Sequence, residues 1–289
     1  MRDEAELNTR SFLHEAKLNT RSLLHGAKRS SLHEVSYTKF LTRSYIMKYY
    51  YEFEVKYQDV DANRKLRLYV LENYLLEVAG QCADELGFGI QYFFPKGLTW
   101  VLTKLSMEIA FLPTHCTHFV VETWIESNAH MLSTRDFRLY LKEEDGSQRL
   151  FGKAKSVWTV LDLEKREIAN VFDDPVFADV VDGEVLDIPR GARLGAIAEP
   201  TGVVPHIVQF SDVDYNNHCN SCKYLERMID AYRRDWYGKP LRLDIQYQKE
   251  QRLGGVLDTY YLVLEDGAQY QQKNEEGVTC CSARITVSN

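Results

Sequence analysis

The sequence predicts an α+β fold made of two similar units in tandem. A seven-residue string, Asp212-Val213-Asp214-Tyr215-Asn216-Asn217-His218, occurs in altered form 153 positions earlier as Asp59-Val60-Asp61-Ala62-Asn63-Arg64-Lys65. Each string lies between a strand-like run of alternating apolar residues and a helix-like run. Several strand-like runs follow each helix, and this order favours an antiparallel sheet over alternating βαβ units.

The composition excludes several classes of protein. The chain has 289 residues, of which 45% are hydrophobic, so it can bury one or two cores of domain size. No run of about 18 apolar residues is present, so a membrane span is not expected. A net charge of -7 argues against broad nucleic-acid binding. The six cysteines are scattered, which favours a reducing compartment, the cytoplasm.

The first 46 residues differ from the rest. The run from Ala5 to Glu15 is repeated with a period of 11 from Ala16 to Gly26, which is low-complexity material. It lacks the apolar stretch of a secretory signal, and its acidic residues disfavour a transit peptide. We therefore expect an N-terminal extension over residues 1–46, with Met47 as the functional start. Deleting it should leave activity and melting temperature unchanged.

The first unit is predicted over residues 47–175. Its helix runs from Leu71 to Leu86, with Gly87 and Gly89 ending it. The hairpin turn is Glu144-Asp145-Gly146-Ser147. The predicted strands are Tyr49 to Tyr57, Trp100 to Phe111, Phe119 to Ser127, Met131 to Glu143 and Leu150 to Asp162.

A linker is predicted over residues 176–200, and a second unit over residues 201–289. The second unit repeats the order in shorter form, with a helix from Lys223 to Tyr237. Its predicted strands are Val204 to Phe210, Leu241 to Glu250, Val256 to Glu265 and Thr279 to Val287.

A second internal match has an offset of 136, between Glu108-Ile109-Ala110-Phe111 and Asp244-Ile245-Gln246-Tyr247. The change in offset indicates an insertion in the first unit around Gly87 to Leu102. This insertion is rich in aromatic residues. It forms either the wall of a ligand pocket or an apolar loop that covers the sheet.

The intact string carries candidate catalytic side chains. Asp214, Asn216 and His218 would point to one side of an extended segment and converge on one substrate atom. The alternative is that Asp and Asn cap the helix and shape the turn. Glu250 is the second candidate, because a carboxylate beside an imidazole can activate water.

The first unit has lost both potential bases. On the internal alignment, Lys65 takes the place of His218 and Thr114 takes the place of Glu250. Two losses in one unit indicate that only the second unit kept catalytic chemistry.

The cysteines offer a competing hypothesis. Cys219-x-x-Cys222 beside His218, with Cys280-Cys281, could form a zinc site or a redox pair. A single CxxC is a weak signal, and small buried residues near a helix start explain it as well. The prediction is therefore no metal and no cofactor.

The combination of these motifs resembles the acyl-acyl-carrier-protein thioesterases, the fatty-acyl chain-terminating enzymes of plants and bacteria. The resemblance rests on Asp214 to Leu225 and on Ile245 to Glu250, and it covers about residues 47 to 289. It implies a double hotdog fold, in which each unit is an antiparallel sheet wrapped around a long central helix. It also implies hydrolysis of the thioester between a fatty acyl chain and the carrier protein.

The resemblance assigns catalysis to Asp214, Asn216, His218 and Glu250. The plant enzymes commonly have a cysteine directly after the glutamate, where this chain has Gln251. Attack by water, activated by Glu250 and His218, is therefore preferred to a cysteine nucleophile. Asn216 would hold the reacting group or the water, Asp214 would orient its neighbours, and backbone N–H groups at the start of the second helix would polarise the carbonyl.

In this family the first unit supplies the acyl pocket. The expected lining residues, each of which can equally be core, are Val70, Tyr74, Val78, Trp100 and Leu102. Because carrier protein is acidic, a basic docking face is expected. Its main candidates are Arg64, Lys65, Arg67, Arg233 and Arg234, and Lys239 and Arg242 are further ones. A homodimer is one oligomeric state that the sequence allows.

Three alternatives remain at this level. An acyl-CoA thioesterase of hotdog type would act on CoA thioesters. A hotdog hydratase or dehydratase would shuttle protons at the β-carbon. A non-catalytic acyl-binding module would bind a thioester without turnover.

Overall fold

A computed structural model describes residues 47–189, 191, 194–233 and 239–288. The predicted extension over residues 1–46 lies outside the described residues, and so does Arg234. None of the described helices is long and apolar enough to cross a membrane.

The first half is built on one long helix, α1, Leu68–Glu85. Its buried face carries Leu71, Leu75 and Val78, which recur at helical spacing. The helix ends before Gly87, whose φ of 85° suits glycine. A short helix, α2, Ile90–Phe93, follows. The strands of this half are β1 Tyr49–Glu54, β2 Leu98–Ile109, β3 His118–Ala129, β4 Leu132–Lys142, β5 Gln148–Asp162 and β6 Glu167–Ala169.

The second half repeats this plan around a shorter helix, α3, Ser221–Ala231. The Asn220 side chain caps α3 by accepting a hydrogen bond from the backbone N–H of Cys222 at 2.9 Å. The strands of this half are β7 Gly202–Val204, β8 Leu241–Tyr247, β9 Asp258–Leu264, β10 Gly267–Lys273 and β11 Thr279–Val287.

The strands of the described residues form one continuous antiparallel sheet. Its order is β1-β3-β4-β5-β2 in the first half and β8-β11-β10-β9-β7 in the second, with β6 pairing β5. The two halves thus have the same topology and join through β2 and β8. At this junction Met107 lies opposite Leu243, its own equivalent at the offset of 136. A pseudo-two-fold axis therefore passes through this pair.

Each half packs its sheet around its helix. Leu71 and Leu75 of α1 share a buried core with Phe137 of β4, while Leu225 of α3 joins Leu243 of β8. These apolar contacts remove the inner face of each sheet from water and stabilise the arrangement. The predicted α+β double hotdog is confirmed.

Some predicted boundaries are wrong. The strand predicted over Val204 to Phe210 ends at Val204, and Phe210–Asp212 is a 3-10 turn, closed by a hydrogen bond from the Gln209 N–H to the Asp212 carboxylate. Strand β8 ends at Tyr247, and Glu250 lies in the loop that follows.

Two other elements differ from prediction. Helix α3 ends at Ala231, several residues before the predicted end at Tyr237. Strand β10 was missed because its sequence is polar. Its buried Gln272 donates hydrogen bonds to the Tyr224 carbonyl and to the Thr259 hydroxyl, and these contacts let a polar strand enter the interior.

Candidate active site

The intact motif forms a closed loop, not an extended segment. The Asp214 N–H donates to the His218 carbonyl at 2.9 Å, and the Asp214 carboxylate accepts hydrogen bonds from the N–H groups of Asn216 at 2.8 Å and His218 at 3.4 Å. Asn217 has a φ of 62°, which asparagine tolerates. The expectation that Asp214, Asn216 and His218 point to one side is wrong, because the Asp214 carboxylate turns back onto its own backbone.

The altered motif in the first half has the same backbone. The Asp61 N–H donates to the Lys65 carbonyl at 2.9 Å, and the Asp61 carboxylate accepts from the N–H groups of Asn63 and Lys65 at 2.8 and 3.1 Å. Arg64 has a φ of 60°, like its equivalent Asn217. The aspartate shapes the loop in both halves, so it is not by itself a sign of catalysis.

Glu250 meets His218 at the mouth of the intact loop. Its carboxylate oxygen Oε1 lies 3.2 Å from Nε2 of His218, and both side chains are partly exposed. Gln251, the residue after Glu250, holds its loop against the motif loop, because the Gln251 carbonyl accepts a hydrogen bond from the Cys219 N–H at 2.7 Å. The Gln251 N–H donates to the Tyr224 hydroxyl at 3.0 Å. The predicted pair is therefore brought together.

The first half supplies a further contact. Arg166, in the turn between β5 and β6, donates a hydrogen bond to Oε1 of Glu250. Burial raises the pKa of Glu250, but Arg166 and the charges of His218 and Arg252 outweigh it and lower that pKa overall. The carboxylate is thus ionised at neutral pH. No motif in the sequence indicated Arg166, which lies 84 positions from Glu250 along the chain.

A buried aspartate beneath the loop was also missed. Asp212 accepts hydrogen bonds from the Arg227 guanidinium at 2.8 Å and from the Gln209 N–H at 2.8 Å, and its carboxylate lies 2.9 Å from Nε2 of His206. The internal repeat could have indicated Asp212, because Asp59 occupies the equivalent position in the first string. Asp212 anchors the 3-10 turn that leads into the motif.

The pseudo-two-fold axis also runs through a cleft of about 320 Å³ between α1 and α3. Its lining includes residues that are equivalent at the offset of 153, such as Asp59 with Asp212 and Tyr69 with Cys222. His218 and Glu250 do not line this cleft. We take the His218–Glu250 contact, not the cleft, as the centre of the candidate site, since it brings an imidazole within 3.2 Å of a carboxylate.

The five expected acyl-lining residues lie in different places. Val70 lines the cleft between the helices. Tyr74 and Val78 belong to the core beneath α1, and Tyr74 donates a hydrogen bond to the Asp59 carboxylate at 2.7 Å. Trp100 packs in a separate aromatic cluster around Phe177, and Leu102 is buried on β2.

The expected basic residues fall in two segments. Arg64 is exposed on the first motif loop, and Lys65 follows it in a bridge with Thr114. Arg67 precedes α1, where it donates a hydrogen bond to the Gln58 carbonyl at 2.5 Å. Arg233 is exposed after the end of α3.

The cysteines are buried thiols in this region. Burial raises the pKa of Cys219 to about 12 and that of Cys222 well above its usual value. Within the described ranges, no group of three or more His, Cys, Asp or Glu residues is arranged to hold a metal ion.

Comparison with known proteins points in one direction. A family model for the acyl-ACP thioesterase N-terminal domain matches residues 47–178, and one for the acyl-ACP thioesterase C-terminal domain matches residues 201–289. Together they match well over half of the chain. The chain is 22% identical over 236 residues to the chloroplastic oleoyl-acyl carrier protein thioesterase of Coriandrum sativum, covering 74% of this chain and 62% of that protein.

Other relatives extend this similarity. A chloroplastic acyl-[acyl-carrier-protein] hydrolase of Cuphea viscosissima is 22% identical over 194 residues, covering 62% of this chain and 46% of that protein. The chain therefore spans between about half and three-fifths of the length of these curated relatives. The crystal structure of an acyl-ACP thioesterase from Bacteroides thetaiotaomicron is similar with a TM-score of 0.74 and 28% identity, covering 84% of this chain and 98% of that one.

Proposed function

Because this chain belongs to the acyl-ACP thioesterase family, we propose that it hydrolyses the thioester of fatty acyl-acyl-carrier protein. The reaction would release a free fatty acid and end chain elongation. The observation that carries the proposal is the 3.2 Å contact between His218 and Glu250. In the first half, Lys65 stands at the position of His218 and Leu112 at that of Glu250, so this half has no imidazole–carboxylate pair there.

The chemistry is general base catalysis by an ionised carboxylate. Glu250 takes a proton from water while the water oxygen attacks the thioester carbonyl carbon. The carbon–sulfur bond then breaks, and the phosphopantetheine thiolate leaves and receives the proton. His218 holds the carboxylate in place and supports this proton transfer. The low pKa of Glu250 favours the basic form across the neutral range.

The other motif residues are assigned supporting roles. Asp214 keeps the loop closed, and so places His218. No hydrogen bond to the Asn216 side chain occurs among the described residues, so its amide is available to hold the water or the thioester carbonyl. Gln251 occupies the place of a cysteine nucleophile, and its side-chain amide donates to the Val256 carbonyl at 2.6 Å. Direct attack by water accords with both features.

The two halves are proposed to have different roles, acyl binding and catalysis. The first half, residues 47–175, would shape the acyl pocket with Val70, Tyr74, Val78, Trp100 and Leu102. The second half, residues 201–289, would carry the reaction, with residues 176–200 linking them. Carrier protein is the proposed partner, docked on Arg64, Lys65, Arg67, Arg233 and Arg234. A homodimer remains a prediction.

A cytoplasmic location also remains a prediction. The six cysteines are free thiols, as expected in a reducing compartment. The names of the curated relatives, in contrast, place those proteins in chloroplasts.

The deciding experiment is a substrate panel. Purified protein is given acyl-carrier-protein and acyl-CoA thioesters of several chain lengths, and the free thiol is measured against time. We expect release from acyl-carrier protein at a kcat/KM well above that for the matching acyl-CoA. Comparable rates would identify an acyl-CoA thioesterase. Tight binding without thiol release would identify an acyl-binding module, and water addition to an enoyl thioester would identify a hydratase.

A further inference from the structure

Arg166 reaches the site from a tightly shaped turn. The Asp162 carboxylate accepts hydrogen bonds from the N–H groups of Glu164 at 3.0 Å and Lys165 at 2.9 Å, and the Arg166 N–H donates to the Asp162 carbonyl at 2.9 Å. Arg166 itself has a φ of 59°, a conformation that is uncommon for arginine. The turn therefore fixes the backbone from which the guanidinium extends.

The polar contacts of the Glu250 carboxylate involve one of its two oxygens, Oε1. Arg166 donates to Oε1, and Nε2 of His218 lies 3.2 Å from the same atom. The guanidinium of Arg252 is 3.6 Å from Oε1 as well. Across the described part of the chain, no hydrogen bond to Oε2 is found. The polar contacts of Glu250 thus converge on Oε1.

A general base needs one oxygen free to accept a proton and a carboxylate that does not rotate. The hydrogen bond from Arg166 and the approach of His218, from opposite halves of the chain, hold Oε1 and oppose rotation about the last side-chain bond. They also leave the open lone pairs of Oε2 as the place where water can bind.

On the basis of the proposed thioester hydrolysis, we propose that Arg166 is a positioning residue for the reaction. Its guanidinium and His218 together hold Oε1, so that Oε2 takes the proton from the attacking water. The first half then contributes to the reacting end of the site as well as to the acyl pocket.

This role has a pH signature. The charged groups that face Glu250 are Arg166 from the β5–β6 turn, His218 from the motif loop and Arg252 from its own loop; farther along, Lys249 pairs with Glu276 at 3.3 Å. Arg166 is the strongest factor that lowers the pKa of Glu250. When Arg166 is removed, the effect of burial, which raises the pKa of Glu250, is opposed by fewer positive charges, so that pKa rises. The acid limb of the pH–rate profile must then move to higher pH.

The test compares wild type with Arg166→Gln, Arg166→Lys and the control Lys165→Gln. Lys165 lies in the same turn and is 71% exposed, so its substitution removes one positive charge without touching Glu250. We expect Arg166→Gln to lower kcat about tenfold with KM changed less than twofold, because the base is misoriented. The pKa that defines the acid limb of the kcat/KM profile should rise by about one pH unit. Arg166→Lys should restore part of both effects, and Lys165→Gln should match wild type.

A second measurement separates this inference from the proposed function. Carbon-13 NMR of glutamate-labelled protein gives the pKa of the Glu250 carboxyl directly, with the signal assigned by Glu250→Gln. An upward shift in Arg166→Gln, but not in Lys165→Gln, supports the electrostatic role even if no thioester is cleaved. An active Arg166→Gln protein with wild-type kcat and an unmoved acid limb overturns the inference and leaves the proposed function standing.

Discussion

Lys65 lies opposite Thr114 in an isolated antiparallel bridge of the first half. Lys65 corresponds to His218, which lies 3.2 Å from Glu250 in the second half. The predicted equivalence of Thr114 and Glu250 is wrong: the Leu66 N–H donates to the Pro113 carbonyl as the Cys219 N–H donates to that of Gln251, so Leu112 takes the place of Glu250. The backbone frame of the two loops is the same, down to the bridges Val60–Leu66 and Val213–Cys219. The halves therefore differ in the side chains that this frame presents, and only one half presents an acid–base pair.

The first prediction concerns this pair. Glu250→Gln and His218→Ala should each lower kcat by roughly 10²-fold or more, because each removes a part of the general base system. Thr114→Val alters the matching loop of the first half and should leave kcat unchanged. Steady-state thiol release with acyl-carrier-protein substrate measures all three. Near-normal turnover in both second-half variants would refute the assignment.

The second prediction separates loop shape from catalysis. Asp214→Ala and Asp61→Ala each remove a carboxylate that accepts two backbone N–H groups, so each should cost about 1 kcal/mol of unfolding free energy. Only Asp214→Ala should also lower kcat, since its loop carries His218. Urea unfolding and steady-state kinetics measure the two effects. An equal loss of kcat in both variants would mean that Asp214 acts through general stability alone.

The third prediction concerns a fully buried carboxyl group. Burial raises the pKa of Glu72 on α1 to about 7, although the hydrogen bond from the Tyr247 hydroxyl partly opposes this. The folded state thus prefers the protonated form more than the unfolded state does. Stability should be fully present below about pH 4.5 and should fall as pH rises through 7.

Glu72→Gln should remove this dependence. The neutral amide avoids burying a charge, so the variant should be more stable than wild type at pH 8 by up to about 3 kcal/mol, with the difference nearly gone at pH 4. Urea unfolding at the two pH values measures it. Glu77→Gln, on the exposed side of the same helix, serves as the control. A pH-independent difference between Glu72→Gln and wild type would contradict the assigned burial effect.

The fourth prediction concerns thiol reactivity. Cys219 and Cys222 are buried with raised pKa values, whereas Cys116 is exposed. Thiolates are the reactive form, so iodoacetamide at pH 7.5 should label Cys116 without loss of activity. Peptide mass spectrometry and residual activity measure this outcome. Rapid inactivation of Cys116→Ser by the same reagent would point to a reactive cysteine near the site.

Several features could be predicted because they are local or repeated. The helices follow from apolar spacing, as in Leu71, Leu75 and Val78, and the hairpin at Gly146 follows from its turn residues. Strand β10 could not be predicted, because Gln271 and Gln272 are polar and are buried only through partners elsewhere in the chain. The turn at Phe210–Asp212 was missed since a side chain, not an apolar pattern, closes it.

The sequence by itself determined the duplication, the two motif loops and the replacement of His218 by Lys65 in the first copy, because a repeated string aligns equivalent positions. The tertiary structure alone decided that Asp214 serves its own loop, that β2 and β8 join the halves, and that Arg166 holds Glu250. These facts depend on the approach of segments far apart in the chain. Arg166 and Glu250 are 84 positions apart, and only folding brings the guanidinium to the carboxylate.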